Sequence, residues 1–180
     1  MREIEVKARL QDVDSFLKKA SVKGITFGKP IIQDDVTYET TIPYDDPSWN
    51  IFRIRKQGDK TILTMKYKAS SRSRDNHERE TTIGDAEQVT SMLERVGYSY
   101  GVHIHKNRRT AKYGDLELCL DEIDKLGTFV EVEKLTSEAA DVDAIQSELW
   151  DLLLELGVGP EDRVHKGYDT LMHALAKSEV

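Results

Sequence analysis

The side chains best equipped for chemistry in this chain come in alternation. Glu3, Glu5, Lys7 and Arg9 are interleaved with Ile4, Val6, Ala8 and Leu10. A period of two is the pattern of a β-strand, so the four charged groups share one face and the four apolar ones the other. Carboxylates and cations on one surface could hold a hard divalent ion and the phosphate oxygens that travel with it. They could equally be the solvated face of a half-buried strand.

The same device recurs along the chain. Arg53 and Arg55 stand opposite Phe52 and Ile54, and Thr64, Lys66 and Lys68 opposite Leu63, Met65 and Tyr67. Glu78 and Glu80 fall together, as do Lys106 and Arg108. Glu117, Cys119 and Asp121 oppose Leu116, Leu118 and Leu120, and Glu131 and Glu133 oppose Val130 and Val132.

The elements that must position these groups follow from periodicity and turn residues. Strands are expected over residues 1–10, 35–41, 50–56, 61–68, 77–83, 103–110, 116–123 and 128–135, with hairpin turns at 57–60 and 113–115. Helical spacing marks 12–20, capped by Asp12 and stopped by Gly24, then 85–96, then a long helix to residue 156 capped by Ser137, then 168–176. Residues 43–50, 69–76 and 159–166 read as loops, the second rich in Ser and Arg.

Composition narrows the class. Of 180 residues, 33% are charged and 38% hydrophobic, enough for one sizeable core, and neither repeats nor linkers divide the chain. A single domain over 1–180 is expected. A net charge of -7 argues against nonspecific affinity for nucleic acid or an anionic membrane, so neither is expected as a partner. The charged N-terminus and the absence of a long apolar run lead to a cytoplasmic protein as the expectation. Cys119, the one cysteine, reads as a small buried or lumen-facing residue rather than a reactive thiol. His77, His103 and His105 read as surface or strand-edge residues, and Trp49 and Trp150 as packing residues. No glycine-rich phosphate loop and no Ser/His/Asp or Cys/His arrangement is present.

Eight antiparallel strands can close into a barrel wide enough for one small ligand. If their apolar faces pack outward against helices, the lumen receives Lys7, Arg53, Arg55, Lys66, Lys68, Lys106 and Arg108, matched by Glu3, Glu5, Glu78, Glu80, Asp121, Glu131 and Glu133. Buried charges cost several kcal/mol each unless paired, wet or ligand-bound, and a metal-bound polyphosphate suits such a mixture. An open sheet with one solvated face would show the same alternation, and pattern alone leaves both architectures standing.

Glu3-Ile4-Glu5-Val6-Lys7 resembles the opening Glu-x-Glu-x-Lys of the CYTH superfamily, the triphosphate tunnel metalloenzymes. In order there follow Arg53-Ile54-Arg55, Leu63-Thr64-Met65-Lys66, Glu78-Arg79-Glu80, Lys106-Asn107-Arg108, Leu120-Asp121-Glu122-Ile123, the run from Leu126 to Glu133, and Lys166-Gly167-Tyr168. The likeness spans almost the whole chain and is greatest to the class IV adenylyl cyclase and thiamine triphosphatase-like branch. It implies an α+β fold, an eight-stranded antiparallel tunnel with helices outside. It also implies Mg²⁺ or Mn²⁺ held by Glu3, Glu5, Glu131 and Glu133, and catalytic roles for Lys7, Glu80 and Asp121. Arg53, Arg55, Lys66, Lys68, Lys106, Arg108, Lys166 and Tyr168 would hold the triphosphate. The implied reaction is conversion of ATP to cyclic AMP and pyrophosphate. The alternatives are hydrolysis of tripolyphosphate, thiamine triphosphate or a nucleotide, or polyphosphate binding without turnover, by a monomer or homodimer. Lys125, where relatives carry glycine, and Asp169, where the cyclase type carries arginine, depart from the pattern.

Overall fold

The computed structural model describes residues 2–43, 46–69, 75–137 and 139–178. Eight strands form a closed barrel: β1 (Arg2–Arg9), β2 (Ile31–Glu39), β3 (Asn50–Gln57), β4 (Lys60–Lys68), β5 (Asp75–Thr82), β6 (Ser99–Tyr113), β7 (Leu116–Ile123) and β8 (Gly127–Thr136). Around the barrel the order is β1-β5-β4-β3-β2-β6-β7-β8, and every neighbouring pair is antiparallel. Four helices decorate it: α1 (Val13–Val22), α2 (Ala86–Arg95), α3 (Val142–Glu155) and α4 (Tyr168–Ser178). Closure settles the choice between barrel and open sheet.

Two helices explain why the apolar faces point outward. Asp12 caps α1 by accepting the Ser15 amide at 2.9 Å, and Gly24, at φ 82°, ends it while the Ile25 amide reaches back to the Ala20 carbonyl. The inner stripe of α1, Phe16 and Ala20, and that of α3, Leu149 and Leu153, with Leu156 at its C-cap, cover Ile4, Val6, Ala8, Leu118, Val130 and Val132, all essentially without solvent contact. Burial of each large aliphatic side chain stabilises by about 1.5–3 kcal/mol, so the outer face of β1, β7 and β8 is the core. On the opposite wall Leu93 of α2 packs on Tyr38 and Ile54. The first turn of α4 enters one end of the barrel, where Tyr168 joins Val102, Ile123, Leu126 and Phe129. No helix among the described residues is long and apolar enough to cross a membrane.

Several boundaries differ from the sequence reading. β2 starts at Ile31, before the expected 35, because Ile31 and Ile32 are both solvent-exposed and give no alternation, yet pair with Arg108 and Asn107. β5 begins at Asp75, two residues early. β6 begins at Ser99, before the expected 103, and includes Gly101, where a Cβ would collide with the Thr37 and Glu39 side chains of β2. Helix α3 is capped by Asp141, not Ser137: the Asp141 carboxylate accepts from the Asp143 and Ala144 amides. The Ser/Arg run 70–74 lies outside the described residues.

Candidate active site

The inward-facing residues of the strands line a cavity of about 290 Å³. Of the positions picked out from sequence, Glu3, Glu5, Lys7, Arg53, Arg55, Lys66, Glu80, Lys106, Arg108, Glu131, Glu133 and Tyr168 are on this lining. Lys68, Asp121 and Lys166 are not, and Lys166 is exposed. Asp35, Thr37, Thr64, Glu117 and Asp169 line it too and were missed as candidates. For Asp35 the signal existed, since Asp35, Thr37 and Glu39 alternate with Val36 and Tyr38.

Three acids from neighbouring strands converge. Glu3 and Glu5 of β1 and Glu133 of β8 each place a carboxylate oxygen within 4.8 Å of the other two. The register Glu5↔Glu133 makes this meeting, and like charges on cross-strand neighbours repel unless a cation is shared. Burial raises the Glu3 carboxyl to about 7, against the pull of Lys66, with Glu78, Glu5 and Glu131 adding repulsion. Burial, then Glu3 and Glu131, holds Glu133 well above the usual carboxylate range. Glu133 also meets Glu117 and Cys119 in a second cluster, where burial pushes the Cys119 thiol up, away from thiolate.

Glu131 is engaged differently. Its carboxylate takes Lys7 Nζ at 2.7 Å on one oxygen and Arg108 Nη2 at 2.6 Å on the other. Arg108 also forks onto Asp121, whose fully buried carboxylate accepts the Tyr168 hydroxyl at 3.0 Å. Lys7 Nζ sits 3.4 Å from the centre of the Tyr168 ring, closing a circuit of five side chains. Asp121 therefore acts on the cavity through Arg108 and Tyr168, the reason it is absent from the lining.

The cations on the other wall are held by acids. Asp35 binds Arg55 in a fork of 2.7 and 2.8 Å and lies 3.5 Å from Lys106. Lys66 contacts Glu78 at 2.7 Å and Glu5 at 3.8 Å, and Arg53 contacts Glu80 at 3.3 Å and Glu78 at 3.6 Å. Although burial would raise it, Glu78 is kept down to about 2 by Lys66 and Arg53. Burial, with Arg108 adding repulsion, lowers Lys106 to about 8 despite Asp35.

The sequence reading balanced seven acids against seven cations. The lining instead carries nine carboxylates (Glu3, Glu5, Asp35, Glu78, Glu80, Glu117, Glu131, Glu133 and Asp169) and six cations. An anion alone meets an excess of like charge, whereas an anion entering with a divalent ion does not.

A closed antiparallel barrel with helices outside and a charged lumen containing an acid triad able to hold a metal ion defines a particular class of tunnel protein. The chain belongs to the CYTH domain family, whose model matches residues 1–168. A protein from Methanocaldococcus jannaschii, provisionally named an adenylate cyclase, is 25% identical over 169 residues, 93% of this chain and 97% of its own. Adenylate cyclase CyaB from Aeromonas hydrophila is 26% identical over 175 residues, 94% of this chain and 87% of its own. A Pyrococcus horikoshii protein of known structure superposes with a TM-score of 0.79 at 26% identity, covering 94% of this chain and 98% of that one.

Proposed function

We propose that the tunnel takes a triphosphate compound with a divalent ion and catalyses attack at phosphorus, with ATP cyclised to cyclic AMP and pyrophosphate as the first reading. One observation carries the class of chemistry. Glu3, Glu5 and Glu133 bring carboxylate oxygens within 4.8 Å of one another, and Lys66, which bridges Glu5 and Glu78, stands beside them. The names of the two relatives, each similar over more than nine-tenths of this chain, support the cyclase reading.

The donor set fits Mg²⁺ or Mn²⁺: three carboxylates are hard oxygen ligands for ions that favour oxygen. Such an ion, when bound, supplies neutralisation of phosphate charge. The rest falls to this chain's own groups. Arg53, Lys66, Lys106 and Arg108 grip phosphate oxygens, and Arg55 is fixed by Asp35 to support them. Because each cation is already oriented by an acid, little reorganisation accompanies the developing charge. Lys7 and Arg108 keep Glu131 in place, Asp121 sets the angle of Arg108, and Tyr168 walls off one end of the lumen. In cyclisation the ribose 3′-hydroxyl gives its proton to solvent, its oxygen bonds to the α-phosphorus, and the bridging bond from that phosphorus to the β-phosphate oxygen breaks to release pyrophosphate.

A second reading, hydrolysis of the terminal phosphate by water, is favoured by the lining itself. Among its described residues only Trp49, Ile51 and Ile104 are apolar besides the Tyr168 ring, so the phosphates have far more partners than any base or sugar. Incubation with ATP and with tripolyphosphate, each with Mg²⁺ or Mn²⁺, separates the readings. Cyclic AMP with pyrophosphate is the expected product. Orthophosphate from either substrate overturns cyclisation in favour of hydrolysis, and binding without any product overturns both.

A further inference from the structure

We propose that the outer wall of the barrel carries a second metal site, for an imidazole-seeking divalent ion such as Ni²⁺, Zn²⁺ or Cu²⁺, made by Asp34, His103 and His105. His103 and His105 are two apart on β6, so both project from the outer face, while Ile104 between them lines the lumen. Asp34 lies on the neighbouring strand β2, directly paired with His105. Both imidazoles converge on one carboxylate oxygen: His105 Nδ1 is 2.7 Å and His103 Nε2 3.3 Å from Asp34 Oδ1.

Ligand atoms at about 2.0–2.1 Å from a tetrahedral ion stand about 3.3 Å from each other. His103 Nε2 has that separation from Asp34 Oδ1, whereas His105 Nδ1 is at hydrogen-bond distance, so binding requires the rings to turn and bring both nitrogens onto one ion. Two imidazoles and one carboxylate are also the donor types that such ions select over Mg²⁺. All three side chains are two-fifths to one-half exposed, leaving an open coordination position and room for the rings to turn. The local field favours a cation. The hydrogen bond that His105 donates to Asp34 and the charge of Asp124 both raise His105, and Glu87 and Glu94 of the α2 segment outnumber Lys56 around the groove shared by Asp34 and His103. The donor chemistry separates this site from the carboxylate triad in the lumen, which lies on the other side of the wall.

The test is titration of the intact protein with Ni²⁺ by calorimetry in saturating Mg²⁺, which occupies the lumen carboxylates. One equivalent should bind to wild type and equally to Glu133→Gln. His105→Asn and His103→Asn should each weaken it at least about tenfold, and the double variant should abolish it. With Cu²⁺, electron paramagnetic resonance should show nitrogen splitting from two imidazoles, reduced to one in either single variant. Equal Ni²⁺ affinity in wild type and the double variant overturns the proposal, as does affinity that is lost in Glu133→Gln instead. Because the replaced residues are exposed, metal-free melting of the variants should match wild type; Asp34→Asn gives an independent check, with Ni²⁺ affinity reduced and both imidazole splittings retained.

Discussion

Arg2 and Asp75 meet in a forked ion pair, Nε to Oδ1 at 2.8 Å and Nη2 to Oδ2 at 3.0 Å, across the β1–β5 seam of the barrel. Among the described residues β1 pairs with β5 over Arg2–Ile4, while it runs beside β8 from Arg2 to Arg9. Asp75 is fully buried and Arg2 nearly so. Removing one member of a buried pair leaves an uncompensated charge, so Asp75→Asn should cost about 3–5 kcal/mol in denaturant unfolding. Double replacement by apolar residues should cost much less than the sum of the singles. A loss below about 1 kcal/mol in Asp75→Asn would show that the backbone pairing alone closes the seam.

Glu133 and Glu131 are adjacent on one strand face but should fail in different ways. Burial and acidic neighbours push the Glu133 carboxyl well above the usual carboxylate range, disfavouring its charged form, so Glu133→Gln should leave metal-free melting nearly unchanged. The same variant should lose the stabilisation that Mg²⁺ or Mn²⁺ confers on wild type, and with it metal-dependent turnover. Glu131→Gln frees Lys7 and Arg108 from their shared carboxylate and should destabilise the protein by about 3–5 kcal/mol with or without metal. Differential scanning calorimetry at two metal concentrations distinguishes them. Equal metal shifts in wild type and Glu133→Gln would remove Glu133 from the metal triad.

Lys106 gives the tunnel a pH dependence of defined sign. Its folded pKa of about 8 lies below the ordinary lysine value, so it is charged below about pH 8 and neutral above. Affinity for magnesium-ATP should therefore fall as pH rises, by about tenfold between pH 7 and 9 if the bound phosphate keeps the lysine charged. Lys106→Arg, which stays charged throughout, should flatten that fall and serve to subtract all other titrations. An unaltered profile in Lys106→Arg would take Lys106 out of phosphate binding.

Lys125 is the one described non-glycine residue with positive φ, at 67°, in the tight turn from β7 to β8. Left-handed backbone costs an L-residue about 1–2 kcal/mol, which explains why glycine suits this position in the family pattern. Lys125→Gly should leave stability unchanged or raise it by up to about 1 kcal/mol, since relief of strain is offset by the freedom glycine has when unfolded. Lys125→Val should lower it by about 1 kcal/mol, because a β-branched side chain tolerates this backbone least. Chemical denaturation of the pair measures both, and a Val variant as stable as the Gly one would show that the turn relaxes.

Much of the site was legible because strand alternation is a strict parity rule. Once Glu3 is placed, Glu5 and Lys7 follow it to the same face whatever the tertiary structure, and the same holds for Arg53 with Arg55 and Glu131 with Glu133. Asp35 obeys the same rule, alternating with Val36 inside an expected strand, but that strand stands out by its β-branched residues and its acids escape the count for the lumen. Asp121 obeyed the parity rule yet lies behind the lining, because Arg108 and Tyr168 cover its carboxylate.

What the sequence by itself determined is the two-faced character of most of the strands, the cap and stop of α1, and which charges share a face. Only tertiary structure decided which face is inside. Parity has no direction: it became inward for the charges because α1 and α3 supply Phe16, Leu149 and Leu153 to bury Ile4, Val6 and Val132 from the outside. Closure through the Arg2–Asp75 seam and the register Glu5↔Glu133 then turned separate charged faces into one lumen. Those distances depend on long-range pairing between chain ends, which no local pattern contains. The opening Glu-x-Glu-x-Lys supplies the acids; the barrel brings them to a third.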